Sequence, residues 1–253
     1  MRSTSAKERR STKLPSGNSS TPRSRLTPQH ARNGQPGRSK PGKGSTLCRR
    51  ELDVTASFPI HPTHTAVLSM DCQAGIVSIY TKEDEDAFLV RARSVLNHAR
   101  ASGMTIIHIQ VGFRPGLPEI SSRNALFGTI KSSEQHQRLF REPLGAITDA
   151  IGPHENEIVI TKHRISAFTG TDLAMILRAN DIDTLVLYGI ATSGVVLSTL
   201  LEAADADYRL AVIGDCCADL DSQLHECLIQ RFFLTRGSVF SAENFIAASS
   251  RQG

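Results

Sequence analysis

The strongest constraint on the fold is a series of six short, almost wholly apolar runs that begins at Thr65. TAVLSM, MTIIHIQV and TLVLYGI are examples, and runs this apolar are typical of parallel strands that are covered on both faces. We predict strands at 65–71, 104–111, 157–161, 183–190, 209–215 and 238–241. The chain therefore has enough apolar strand to form one central sheet.

Helical segments separate most of these strands. The acids at 83–86 suit the N-terminus of a helix that Gly103 ends, and further helices are expected near 134–140, 172–180, 195–206 and 221–234. The rest of 112–150 is rich in Gly, Pro and polar residues, and a loop this long in a compact domain usually carries function. This order predicts an α/β fold: a three-layer, Rossmann-like, mostly parallel sheet of about six strands with helices on both faces.

Residues 1–50 differ in composition from the rest of the chain. They contain thirteen Lys or Arg and one acid, so their formal net charge is +12, whereas the whole chain carries +4. Their few aliphatic side chains cannot offset the entropy of ordering the segment. We therefore predict a disordered basic Ser/Arg/Pro/Gly-rich tail over residues 1–55 and a folded domain over residues 65–248. The tail could contact nucleic acid or another anionic surface weakly, or be a solvated extension without a partner.

Composition also bears on the compartment. No stretch approaches the ~18 consecutive apolar residues of a membrane span, and no signal-peptide core is present, so we predict no transmembrane segment. The five cysteines are an odd number without metal-ligand spacing, which fits a reducing environment. We expect a cytoplasmic protein, with organellar import of the Arg/Ser-rich N-terminus as the alternative.

Polar residues that follow the predicted strands carry the functional signal. Ligands of open parallel sheets bind beyond the carboxyl ends of the strands. There the chain has Asp-x-Gln at Asp71 and Gln73, Lys162 before Ser-Ala-Phe-x-Gly-Thr, and a Gly-x-Ala-Thr turn at 189–192. In this order, over about residues 65–248, they resemble the isochorismatase-like hydrolases of the cysteine hydrolase superfamily.

The resemblance implies a catalytic site. It makes Asp71 the acid/base and Lys162 its electropositive partner, and it places a substrate-binding turn at Ile190, Ala191, Thr192 and Gly194. It also implies a cis peptide bond between Ile190 and Ala191 that helps to shape an anion hole. We therefore expect Asp71 and Lys162 in near contact at the carboxyl end of the sheet, facing Val195.

Val195 departs from the family's pattern. The resemblance implies a nucleophilic cysteine at this position, and valine has neither a nucleophile nor an ionisable proton. Enol-ether hydrolysis, the reaction of the isochorismatase branch, needs a protonated carboxyl and a nearby cation but no nucleophilic side chain. We therefore predict a hydrolase that acts on a small carboxylate-bearing molecule with Asp71 as general acid and without a cysteine nucleophile.

Two further residues are candidates for contacts with this small-molecule substrate. Gln73 lies close to Asp71 in the sequence, and Arg114 could clamp a substrate carboxylate in a bidentate pair, although a solvated surface arginine fits as well. The region after the second strand lacks the aspartate and histidines through which nicotinamidase-like members bind metal. We predict no metal and no cofactor.

A non-catalytic class of function stays open. A chain without the cysteine could be a catalytically inactive ligand-binding or scaffold module, which Val195 favours. The retained Asp71–Lys162 pair favours an enzyme, because a buried charge without a role is expensive for a scaffold to keep. In either case we expect a homo-oligomer.

Overall fold

The computed structural model describes residues 58–250 of the chain. The tail predicted over residues 1–55 lies outside the described residues. The strands are β1 Thr65–Met70, β2 Thr105–Val111, β3 Ile158–Lys162, β4 Thr184–Ile190, β5 Arg209–Ala218 and β6 Ser238–Phe240. The helices are α1 Ala74–Thr81, α2 Glu85–Ser102, α3 Ala125–Ser132, α4 Glu134–Arg138, α5 Leu173–Ala179, α6 Leu197–Asp205, α7 Ser222–Cys227 and α8 Ala242–Ser249.

The strands form one sheet in the order β3-β2-β1-β4-β5-β6, and every neighbouring pair is parallel. This confirms the predicted α/β fold class. The strand order reverses between β1 and β4, which are neighbours in the sheet although β2 and β3 separate them in sequence. In sheets of this topology the crevice beyond the carboxyl ends of the two central strands is where ligands bind.

The central strands and the longest helix supply the core. Every residue of β1 and of β4 is buried, as their apolar sequences predict. Helix α2 buries Phe88, Val95 and Leu96 against the sheet, and each such side chain stabilises the fold by about 1.5–3 kcal/mol. Gly103 ends α2 in a left-handed conformation, with φ 74°, where its N–H bonds the carbonyls of Ala99 and Arg100.

Two helices near the sheet's carboxyl edge were not predicted from the sequence. Helix α1 has no side-chain cap, and its first N–H groups instead bond two distant carbonyls, from Ala74 to Ala146 and from Gly75 to Leu144. Helix α3 occupies part of the segment that was expected to be loop. The structure also extends β5 to Ala218, three residues beyond the predicted end.

Within residues 58–250, none of the helices combines the length and the apolar character needed to cross a bilayer.

Candidate active site

Asp71 and Lys162 meet above the carboxyl end of the sheet. Asp71 directly follows β1, and Lys162 is the last residue of β3, so the lysine side chain reaches across the end of β2. Its Nζ lies 2.7 Å from Asp71 Oδ2, and the two side chains are only 3% and 8% exposed. Lys162 Nζ also donates to the carbonyl of Arg164 at 3.1 Å. The predicted near contact is confirmed.

The two oxygens of the Asp71 carboxylate have different surroundings. Oδ2 is held by Lys162, whereas Oδ1 is buried and has no hydrogen-bond partner among the described residues. Burial raises the pKa of the Asp71 carboxyl, and the neighbouring Lys162 charge opposes this rise without cancelling it. The carboxyl is therefore easier to protonate than an ordinary aspartate, and it has a free oxygen to carry the proton.

The Asp71–Lys162 pair lies on the wall of a cavity of about 200 Å³. The turn that follows β4 supplies Ile190, Ala191, Gly194 and Val195 to the same wall. Helix α1 contributes Tyr80 with two isoleucines, and the segment from α3 through α4 contributes further apolar side chains. The cavity therefore joins the ends of β1, β3 and β4, and Val195 shares it with the ion pair as predicted.

The turn after β4 is held by polar contacts from residues that follow β5 in the chain. The Ile190–Ala191 peptide is cis, which confirms that prediction. Thr192 is buried outside the cavity lining, and its Oγ1 shares a 2.8 Å hydrogen bond with Nδ1 of His225. The backbone N–H and the hydroxyl of Ser193 both donate to Asp219 Oδ2 at 2.7 Å. Asp219 after β5 and His225 in α7 thus fix the turn that lines the cavity.

Gln73 does not reach the cavity. Its Nε2 donates to the carbonyls of Val111 and Gly145, at 3.0 and 2.6 Å, and its Oε1 accepts from the Val111 N–H at 2.8 Å. Both ends of the amide are therefore used by the backbone, and the side chain is 1% exposed. Gln73 fastens the loop before β3 to the end of β2, and this geometry does not support a contact with substrate.

Arg114 also lies away from the Asp71 cavity. Its guanidinium is 66% exposed and pairs with Glu119 at 2.8 Å, beside a separate surface depression. The carboxylate clamp proposed for this arginine is therefore not formed in this arrangement. The equally weighed interpretation, a surface arginine, fits its position.

The described cysteines lie outside the cavity lining. Cys72, Cys216 and Cys217 are buried, and Cys227 is exposed on α7. Burial raises the pKa of Cys72 and of Cys217 to about 12, so both thiols stay protonated and weakly nucleophilic at neutral pH. Among residues 58–250, no three His, Cys, Asp or Glu side chains are grouped so that they could hold a metal ion.

Three polar residues near the site were missed by sequence reasoning. Tyr80 lines the cavity, and burial, followed by the negative charges of Asp219 and Asp71, raises the pKa of its hydroxyl. It therefore keeps its proton as a donor. His225 and Asp219 hold the turn after β4, and burial lowers the pKa of His225, which favours the neutral ring. No local motif marks these residues, because only the fold brings them to the turn.

This fold is that of a known class of hydrolases. Residues 65–244 match the family model of the isochorismatase domain, so the chain belongs to the isochorismatase family.

Named relatives in that family include amidohydrolases. The chain is 30% identical to a maleamate amidohydrolase of Pseudomonas putida over 140 residues, which are 55% of this chain and 64% of that relative. It is 28% identical to a ureidoacrylate amidohydrolase of Agrobacterium fabrum over 218 residues, covering 79% of this chain and 90% of that one. The solved structure of an isochorismatase family protein from Burkholderia thailandensis superimposes with a TM-score of 0.66 at 26% identity, over 76% of this chain and 97% of that one. The chain thus spans less than two thirds of the first relative and most of the other two.

Proposed function

We propose that this chain is a hydrolase that uses Asp71 as general acid and needs no cysteine nucleophile. The observation that carries the proposal is the buried Oδ1 of Asp71, which lacks a hydrogen-bond partner among the described residues and belongs to a cavity-lining side chain. Lys162 fixes the carboxyl through the other oxygen. A carboxyl held in this way can deliver a proton from its free oxygen in a defined direction.

Enol-ether hydrolysis uses such a carboxyl first as a proton donor and then as a proton acceptor. Asp71 gives its proton to the terminal alkene carbon, and the ether oxygen shares the resulting positive charge. Water then adds to the cationic carbon and returns a proton to Asp71, which leaves a hemiketal. The hemiketal loses its alcohol as its hydroxyl proton moves to the leaving oxygen, giving a ketone. One water is consumed, Asp71 ends as it began, and Val195 serves only as apolar wall.

Lys162 supplies the positive charge for a substrate carboxylate. It is the one cationic side chain among the described residues that line the cavity. While Asp71 is ionised, it neutralises Lys162, but a protonated Asp71 leaves the ammonium charge available to an anion. Binding of a small carboxylate-bearing substrate therefore favours the protonated acid that the reaction requires.

Amide hydrolysis is the second candidate, because two of the relatives are named as amidohydrolases. Without a cysteine, an ionised Asp71 would have to act as general base on the attacking water. The two reactions need opposite protonation states of the same residue. Their rates should therefore respond to pH in opposite directions.

The test compares wild type, Asp71→Asn and a control, Asp183→Asn, on panels of enol-ether and amide substrates that carry a carboxylate. Asp71→Asn should lower kcat/KM by ~10²–10⁴-fold, as is typical when a general acid is removed. Asp183 pairs with Arg209 near the opposite end of the sheet and is about half exposed, so its replacement should leave turnover unchanged. For wild type, kcat/KM should fall as pH rises through the raised pKa of Asp71.

Three results would contradict the proposal. A kcat/KM that rises with pH would assign Asp71 the role of base in amide hydrolysis. Inactivation by iodoacetamide, with Cys72, Cys216 or Cys217 labelled in step and protected by substrate, would indicate a relocated nucleophile. Absence of turnover on both panels would favour the inactive ligand-binding or scaffold module.

A further inference from the structure

The cavity beside Asp71 is apolar apart from one small polar area. Among the described residues that line it, the charged groups are Asp71 and Lys162, which pair with each other, and Tyr80 adds a hydroxyl. The other lining residues are aliphatic, aromatic or glycine. A second charged or strongly polar end that lies against this wall would therefore be desolvated without a partner, which is unfavourable.

Contacts within the protein hold the side chains of the apolar wall in place. Phe127 and Ile130 of α3 belong to a small hydrophobic cluster that is separate from the main core. The ring of Phe113 packs edge-on against Phe127, with centroids 5.7 Å apart, and against Phe140 at 5.4 Å. These contacts fix the side chains that face the cavity, so a ligand meets a surface whose shape is already set.

Two lining side chains are exposed to solvent. Leu126 of α3 is 54% exposed and Ile79 of α1 is 39% exposed, although both line the cavity. Covering this exposed apolar surface with an apolar ligand lowers the free energy of the complex.

The cavity has room for a ring. Its volume is about 200 Å³. An engineered cavity of about 150 Å³ with a comparable Leu, Ile and Phe lining binds benzene in another protein. A six-membered ring with a few additional atoms therefore fits the space.

We propose that the substrate has one polar head, placed at Asp71 and Lys162, and an apolar body of about the size of a six-membered ring that packs against α1 and α3. The position of the head rests on the proposed function, whereas the body depends only on the apolar wall. Maleamate, for which the Pseudomonas putida relative is named, is polar at both ends and falls outside this class.

Equilibrium binding of inert ligands tests the apolar body without requiring turnover. Isothermal titration calorimetry on the full chain would compare benzoate, which has one carboxylate and a ring, with fumarate, which is charged at both ends. Benzoate should bind about tenfold more tightly or better, the scale of discrimination that apolar pockets achieve. Binding of fumarate as tightly as benzoate would overturn the inference.

Exposed positions provide matched variants that should fold. Leu126→Ser and Ile79→Ser should each weaken benzoate binding by about threefold to tenfold, because each removes apolar contact from the ligand. The control is Leu224→Ser, since Leu224 is 41% exposed and lies outside the cavity lining. Thermal melting would verify that each variant is folded. Unchanged benzoate affinity in both cavity variants, or an equal loss in the control, would contradict the proposal.

The two proposals can fail separately. Preferential benzoate binding by a protein that turns over no substrate would support the apolar body and contradict the catalytic role. Asp71-dependent turnover without any preference for ligands with an apolar body would support the catalytic role and contradict the apolar body.

Discussion

Asp71 and Lys162 are buried together, so the protonation of each depends on the other. Their side chains are 8% and 3% exposed, and their charged atoms lie 2.7 Å apart. Removal of one partner from a buried pair leaves the other charge without compensation, whereas removal of both does not. Mutations at the two positions should therefore not be additive.

A double-mutant cycle should measure this coupling. We expect Asp71→Asn to lower the free energy of unfolding by about 3–5 kcal/mol, because it leaves Lys162 unpaired in the interior. Lys162→Met should lower the free energy of unfolding by a smaller amount at low pH, because Asp71 can then stay protonated. A carboxyl whose pKa is raised by folding loses its stabilising contribution as pH rises through that pKa, so the deficit of Lys162→Met should grow with pH. The double variant Asp71→Asn/Lys162→Met should lose less stability than the sum of the losses of the two single variants.

Urea unfolding at several pH values would provide these free energies. The exposed pair Asp183–Arg209 is the control, and Asp183→Asn should change stability by no more than about 1 kcal/mol. Additive effects at Asp71 and Lys162, with no dependence on pH, would show that the two groups do not share a buried site.

At the scale of elements, the site depends on how closely β1 and β4 approach at their carboxyl ends. Gly189 has φ 144°, and a Cβ placed on it would lie 2.0 Å from the carbonyl oxygen of Met70. That oxygen belongs to backbone directly before Asp71, so it cannot move aside as a flexible side chain would. Glycine at 189 therefore lets the turn after β4 sit beside Asp71.

Gly189→Ala should destabilise the protein by about 3 kcal/mol or more, because either β1 or β4 must shift. The shift should also lower turnover or benzoate affinity, since Asp71 and the turn both line the cavity. Gly128→Ala in α3 is the control, because its nearest neighbour would lie at an ordinary 3.7 Å and alanine favours a helix. Thermal melting compares the two variants. A Gly189→Ala protein that melts like wild type would contradict the close approach.

The strands were predictable from sequence because each is a short apolar run, but the helices beside the site were less so. The N-terminus of α1 is satisfied by carbonyls about seventy residues away, and its β-branched residues do not favour a helix. A local signal did exist for α3, where the side chain of Asn124 caps the helix by accepting from the Phe127 N–H. That signal could have predicted α3 within the segment interpreted as loop.

The site was predictable where residues end a strand or directly follow one. Asp71 follows β1 and Lys162 ends β3, and parallel strands bring such residues to one edge of the sheet. The partners of Gln73 depend on the path of a distant loop, so its structural role could not be seen in the sequence. The same holds for His225, which reaches Thr192 from a helix beyond β5.

At the scale of the whole molecule, the excess of basic residues and the hydrophobic core lie in different parts of the sequence. Residues 1–50 carry a formal charge of +12 within a chain of +4, so about −8 falls on residues 51–253. The six strands and the main core lie within the described residues. The homo-oligomer, the cytoplasmic location and the contact of residues 1–50 with nucleic acid remain predictions.

Deletion of residues 1–50 should leave the melting temperature and the far-ultraviolet circular dichroism of the domain unchanged, because the six strands begin at Thr65 and the described core begins at Phe58 and Ile60, after the deleted segment. The same deletion should abolish any binding to single-stranded nucleic acid. Binding by the full chain should weaken steeply with salt, because it would come from Lys and Arg that displace counterions. Differential scanning calorimetry and fluorescence anisotropy at two salt concentrations measure the two effects. A truncated chain that melts many degrees lower would show that the segment stabilises the domain. A full chain without salt-sensitive binding would favour the solvated extension, since thirteen basic residues in fifty would then attract no polyanion.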